Sequence, residues 1–205
     1  MLIDWLRLIP ALLLLLTPIG VFHHDRVKYR ALMRDWNGYW RRTLGLELHT
    51  IDLVRAVVGS WLLIEALKSA PDASRLMNYT PFLIRTAILV VASALQAMVC
   101  KEAEAAHAPF AFVTGLVLGF LPPLVSAFAL VLAIALAMGS GFPTAYFPVL
   151  ALATPGIGLL FGGGKKVMIY DLISVAAAAL TPWLMTLMFP RHFVCSYRAG
   201  PKSAP

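Results

Sequence analysis

The chain has 205 residues, 60% of them hydrophobic and only 13% charged, and its mean hydropathy is +0.80. No soluble domain of that length can bury so much apolar surface, so lipid must be the solvent for most of it. Lys and Arg number 17 against 10 Asp and Glu, a net +7, which in a membrane protein reports topology and does not point to nucleic acid.

The first apolar run, LRLIPALLLLLTPIGVF, predicts a span over about residues 5–22. A secretory signal peptide is the competing reading of a charged start followed by leucines. The strongly basic flank and the lack of a small-x-small cleavage site favour a retained helix. The segment from His23 to Thr50 is the most polar and carries Arg26, Lys28, Arg30, Arg34, Arg41 and Arg42. Tyr29, Leu32, Met33, Trp36 and Trp40 recur at helical spacing, which predicts an amphipathic helix over about residues 26–43. Such a helix lies in the headgroup region, with Trp36 and Trp40 at the interface and Arg34 and Arg41 towards anionic lipid. The alternative role for this surface is docking a partner subunit.

The second span, residues 51–68, contains Asp52, Arg55 and Glu65. Ionisable groups inside a span are costly and are candidates for function. Asp52 and Arg55 stand at i, i+3 and can pair, while Glu65 lies beside Lys68 and can pair or snorkel there. The third span, 80–100, has Arg85 near its start and Gln96 near its end. KEAEAAH then forms a polar turn.

The fourth span, 110–138, is uncharged throughout. As one helix it would cover about 45 Å, more than the roughly 30 Å of bilayer hydrocarbon, so it must tilt or kink, and Pro122-Pro123 supplies a kink. Ala111, Gly115 and Gly119 fall on one face before the prolines; Ala129, Ala133 and Ala137 do so after them. Rows of small residues let helices approach closely where lipid removes the hydrophobic drive between them. After the GSGF turn come a fifth span, 143–161, with Pro148 and Pro155, the turn GGGKK, a sixth span, 167–189, and a polar tail. The fold class is therefore all-α: one transmembrane domain over residues 1–205, six spans and an interfacial helix.

With six spans, the connections after spans one, three and five share a side and hold nine Lys/Arg, against six on the other side, Arg55 and Arg85 being intramembrane. The nine-residue side is then cytoplasmic and both termini face outwards. Cys100 and Cys195 fall on opposite sides and cannot be bridged.

Three stretches, LVRAVVGSWLLIEALKSA (Leu53–Ala70), TGLVLGFLPPLVSAFALVLAIAL (Thr114–Leu136) and LLFGGGKK (Leu159–Lys166), resemble the DoxX-like family of four-helix membrane proteins. The resemblance covers about residues 51–166. It departs from the family after the glycines, where VMIY precedes Asp171 and no Ser occurs, and the first and last spans are extra. It implies a link to membrane redox systems, including quinone-dependent thiosulfate oxidation, and a bacterial inner membrane.

Candidate chemistry is sparse. His23, His24, His49 and His107 cluster near span ends with Asp25, Glu47, Glu102 and Glu104, but without recognised metal-ligand spacing, so no metal site is expected. GGGKK lacks the P-loop pattern and reads as a basic turn. Two functional classes remain. One is a non-catalytic accessory subunit of a membrane complex, with no cofactor of its own and with lipid or quinone as candidate contacts; its partners are membrane lipids and other integral membrane subunits. The other is a small lipid or solute carrier, with Asp52, Arg55, Glu65 and Arg85 lining a path.

Overall fold

In lipid each backbone N–H and C=O has to be satisfied within its own segment, so the apolar runs form helices. The structure, a computed structural model, describes residues 3–18, 27–31, 47–67, 75–98, 105–161, 166–189 and 192–198, most of them helical. The helices are α1 (Trp5–Leu16), α2 (Glu47–Ala66), α3 (Arg75–Met98), α4 (Phe110–Phe120), α5 (Pro123–Ser140), α6 (Tyr146–Phe161) and α7 (Lys166–Met188). Three strands accompany them: β1 (Val27–Ala31), β2 (Ala105–His107) and β3 (His192–Arg198).

The long fourth span is two helices, and two prolines explain why. A residue before proline is pushed out of the helical region, and here two successive residues are. Leu121 (φ −107°, ψ 155°) precedes Pro122, and Pro122 (φ −55°, ψ 144°) precedes Pro123. The chain therefore does not kink and continue; it reverses. Pro123 starts α5 at the position that tolerates a missing N–H. The Ser126 hydroxyl lies 3.0 Å from the Val117 carbonyl, 3.2 Å from that of Leu121 and 3.1 Å from that of Pro122, closing the reversal from within.

Neighbour pairs fix the direction of each helix. α1 and α2 are antiparallel, with the Asp4 N–H donating to the Ala66 carbonyl (3.2 Å). α4 runs parallel to α2, Gly115 facing Leu53 and Ala56, and Gly119 facing Val57 and Ser60. α5 and α6 are antiparallel, joined through the 3-10 turn Pro143–Ala145, with the Phe128 and Phe161 rings stacked at 5.2 Å. α6 and α7 are antiparallel, Gly158 packing on Leu172. α3 and α7 are parallel, Thr86 bonding Ser174 at 2.7 Å.

All three strands gather at one end of this bundle. β3 lies between β1 and β2, antiparallel to β1 (Val27 opposite Arg198) and parallel to β2 (His107 opposite Val194). The Ala108 N–H donates to the Val194 carbonyl (3.0 Å) at the foot of α4. Phe193 stacks on Phe147 (5.4 Å), and Phe147 on Phe110 (4.9 Å), which ties the sheet to the first turns of α4 and α6.

Among the described residues seven helices alternate in direction, which places the start of α1 and the end of α7 at opposite ends of the bundle. Residues 110–138, expected as one kinked helix, are two, and the return of the chain to its starting end assumed a single helix there. The predicted amphipathic helix is corrected in part, since Val27–Ala31 form a strand. Val27, Tyr29 and Ala31 alternate with Lys28 and Arg30, a period of two that satisfies a strand once β3 offers an edge. Arg34, Trp36, Trp40 and Arg41 lie outside the described residues. The expected polar tail contains β3, and Cys195 lies in it, at the end of the bundle where α3 finishes; its separation from Cys100, itself outside the described residues, no longer follows.

Among the described residues four helices are long and apolar enough to cross a membrane: Tyr79–Met98, Pro123–Ser140, Pro143–Phe161 and Ile169–Met188. α1 and α4 are shorter apolar helices of 12 and 11 residues, and α2 has 20 residues but carries Asp52, Arg55 and Glu65. Inside α6, Pro155 deprives the Ala151 carbonyl of its usual donor, and the Thr154 hydroxyl donates to that carbonyl instead (3.3 Å).

Candidate functional site

Among the described residues, Asp52, Arg55, Glu65 and Arg85 are drawn into three separate knots. The first is built on α2, where the Arg55 Nε donates to Asp52 Oδ1 at 2.6 Å, both side chains buried. Arg55 Nη1 also donates to the Leu14 carbonyl (2.9 Å) and to that of Thr17. These carbonyls end α1, where the last turn has no intrahelical donors and carries the negative end of the helix dipole. Arg55 therefore caps α1 with charge and hydrogen bonds together. Its guanidinium carbon lies 5.2 Å from the centroid of the Phe112 ring on α4, a cation–π contact. One side chain joins α1, α2 and α4.

The second knot is at the opposite end of α1. Arg7 reaches Glu65 at 3.2 Å and Asp4 at 3.3 Å. Arg7 is half exposed, so the pair contributes little energy and mainly aligns the start of α1 with the end of α2. Glu65 thus meets Arg7; Lys68, the partner expected from the sequence, lies outside the described residues.

The third knot joins α3 to α7. Arg85 Nη1 donates to Asp171 Oδ1 at 3.0 Å, with Thr86 and Ser174 bonded one turn away. The Tyr170 ring sits 5.6 Å from Tyr79, edge on, and 4.9 Å from Phe82. Asp171 was not among the candidate residues read from the sequence. The signal was present, since Arg85 and Asp171 are single opposite charges near the starts of two otherwise apolar spans.

The small-residue rows lie between helices. Gly115 and Gly119 put α4 against the α2 backbone: a Cβ at either would stand 2.6 Å from the Leu53 or Val57 carbonyl oxygen. Ala129, Ala133 and Ala137 are fully buried, whereas Ala111 is half-buried.

Of the clustered histidines, His49 and His107 are described, and they interact electrostatically at the sheet end. Burial, then the positive charge of His49, lowers His107 to about 4, against a hydrogen bond with the Gln96 backbone. An unfolded histidine titrates near 6.5, so between pH 6.5 and about 4 the unfolded chain binds the extra proton. Stability should consequently fall as pH drops through that window, by at most about 1.4 kcal/mol per pH unit from this group. His107→Gln should flatten the pH dependence of the melting temperature in detergent; an unchanged slope would assign the dependence to other groups. Among the described residues no group of three or more His, Cys, Asp or Glu is arranged to hold a metal.

No protein-family model, curated protein or solved structure matches the chain.

Proposed function

We propose that this chain is a non-catalytic accessory subunit of a membrane protein complex, crossing the bilayer seven times with its sheet end in the cytoplasm. The observation that carries the reading is the Arg55 knot. A buried cation that bonds Asp52, the Leu14 and Thr17 carbonyls at the end of α1 and the face of Phe112 is committed to joining helices. Large apolar side chains face outwards on α5 and α6, with Val131, Leu152 and Leu160 65%, 77% and 81% exposed, as suits lipid or neighbouring subunits.

The orientation rests on charge. With seven passes, the segments at the sheet end hold Arg26, Lys28, Arg30, Arg34, Arg41, Arg42, Lys101, Arg191, Arg198 and Lys202. The other end has Arg7, Lys68, Arg75, Lys165 and Lys166. Ten against five favours the sheet end inside. A redox or energy-converting partner in a bacterial inner membrane, and contact with lipid or quinone, rest on the DoxX-like resemblance. The matched stretch contains the five helices α2 to α6 where that family has four.

A small carrier is the second reading, favoured by the α4–α5 hairpin, since carriers build binding sites from interrupted helices. Extraction from the native membrane in a mild detergent, followed by sizing and identification of what co-migrates with the 22.3 kDa chain, separates the two. Stable co-migration with other integral membrane subunits is expected. A lone particle or a homo-oligomer would overturn the subunit role and direct attention to flux assays.

A further inference from the structure

We propose that the start of the α3–α7 seam is a binding site for the headgroup of a zwitterionic phospholipid in the non-cytoplasmic leaflet. The inference rests on the membrane-spanning reading but not on the subunit role.

The site joins a cation, an anion and aromatic rings in one place. Asp171 Oδ1 takes a single N–H of Arg85, and a guanidinium has five. Arg85 is itself nine-tenths buried, and its Nε is buried without a partner among the described residues. That is an incomplete arrangement for a cation in a spanning helix, and it calls for an acceptor. Among the described residues Asp171 has no partner other than Arg85, which leaves Oδ2 free; its side chain is 20% exposed. Tyr79, 46% exposed, meets Tyr170 edge on, and the two rings stand beside this pair with Phe82.

The depth suits a headgroup. Asp171 lies two residues inside Ile169, where the apolar span of α7 begins, a rise of about 3 Å. Arg85 starts deeper, six residues past Tyr79, but its guanidinium is held at the level of Asp171. Tyr79 and Tyr170 occupy the interfacial level that tyrosines favour.

The chemistry then selects the ligand. A phosphate takes the spare donors of Arg85, as guanidinium forks do. A primary ammonium on the same headgroup meets Asp171 Oδ2 and the tyrosine rings, through charge and cation–π attraction. A purely anionic headgroup would meet the Asp171 carboxylate and a purely cationic ligand would meet Arg85, so the paired charges reject both.

The test uses the full chain, delipidated in detergent, with bound lipid counted by native mass spectrometry. Dioleoyl-phosphatidylethanolamine should bind about tenfold more tightly than dioleoyl-phosphatidylglycerol, the discrimination expected of one charge-assisted contact. Arg85→Gln should weaken phosphatidylethanolamine about tenfold, and Asp171→Asn should erase the preference by admitting phosphatidylglycerol. Should Arg85→Gln not fold, Tyr79→Ala, at a half-exposed ring, should still reduce the preference. Equal binding of the two lipids by the unaltered chain, or a preference that survives these substitutions, would overturn the proposal. Soluble phosphoethanolamine that competes at the concentration of the lipid would overturn the lipid assignment in favour of a free zwitterion.

Discussion

Asp52→Ala is expected to cause the largest loss of stability of any single substitution in the helical bundle. Its carboxylate is the counter-charge of Arg55, at 2.6 Å and with both side chains buried. Removing one partner of a buried pair strands the other charge and costs about 3–5 kcal/mol. For a chain of this size that corresponds to a melting temperature lower by about 10 °C, readable by fluorescence-detected size exclusion in a mild detergent. The double substitution Asp52→Leu with Arg55→Leu should recover only part of the loss. It removes the stranded charge, but the Leu14 and Thr17 carbonyls also lose their donor. Glu65→Gln serves as the contrast, because its partner Arg7 is half exposed, and a loss of about 1 kcal/mol or less is expected. Equal effects of Asp52→Ala and Glu65→Gln would show that Arg55 is not the fastening its geometry implies.

Gly115→Ala and Gly119→Ala should each destabilise the bundle by about 1–3 kcal/mol, the usual cost of overpacking. The direction is set by what the new methyl would meet. At both positions it is a backbone carbonyl of α2, at 2.6 Å, and a carbonyl inside a helix cannot swing aside. α4 and α2 must separate. Once they have done so for one methyl, much of the room for the second exists, so the double variant should lose less than the sum. Gly158→Ala should cost less than either, because its obstacle is the Leu172 side chain, which can change rotamer. Gly156→Ala meets nothing within 4 Å and should be neutral or stabilising by up to about 1 kcal/mol through helix propensity. Melting temperatures of the four single variants, ranked in that order, would check the packing. A Gly115→Ala variant as stable as Gly156→Ala would contradict it.

The sequence carried the helices well. Long uncharged runs have one low-energy form in lipid, so both ends of α6 and α7 and the end of α3 fall within three residues of the predicted spans, while α3 starts five residues earlier, at Arg75. The pairing of Asp52 with Arg55 followed from their i, i+3 spacing. What escaped was non-local. Two prolines in an apolar run are compatible with a kink or a reversal, and only the packing of α4 on α2 and α5 on α6 decides between them. That single choice moves the end of α6 and the start of α7 to the other end of the bundle, and β3 to the sheet end. The strand at Val27–Ala31 was hidden because its partner, β3, lies far along the chain in a stretch that is polar on average. Asp171 is not legible as a site residue from its neighbours in the sequence, because a lone acid near the start of a span has the pattern of an interfacial group, and Arg85, its partner, is 86 residues away.

The number of passes is therefore the point on which topology, charge balance and the lipid site all depend, and it can be measured directly. Reporters active on only one side of the membrane would be fused ahead of α1 and after β3 in otherwise identical chains. Seven alternating helices predict opposite sides, with the β3 fusion cytoplasmic. Both reporters on one side would contradict the hairpin at Leu121-Pro122 as a membrane feature and restore a six-span chain.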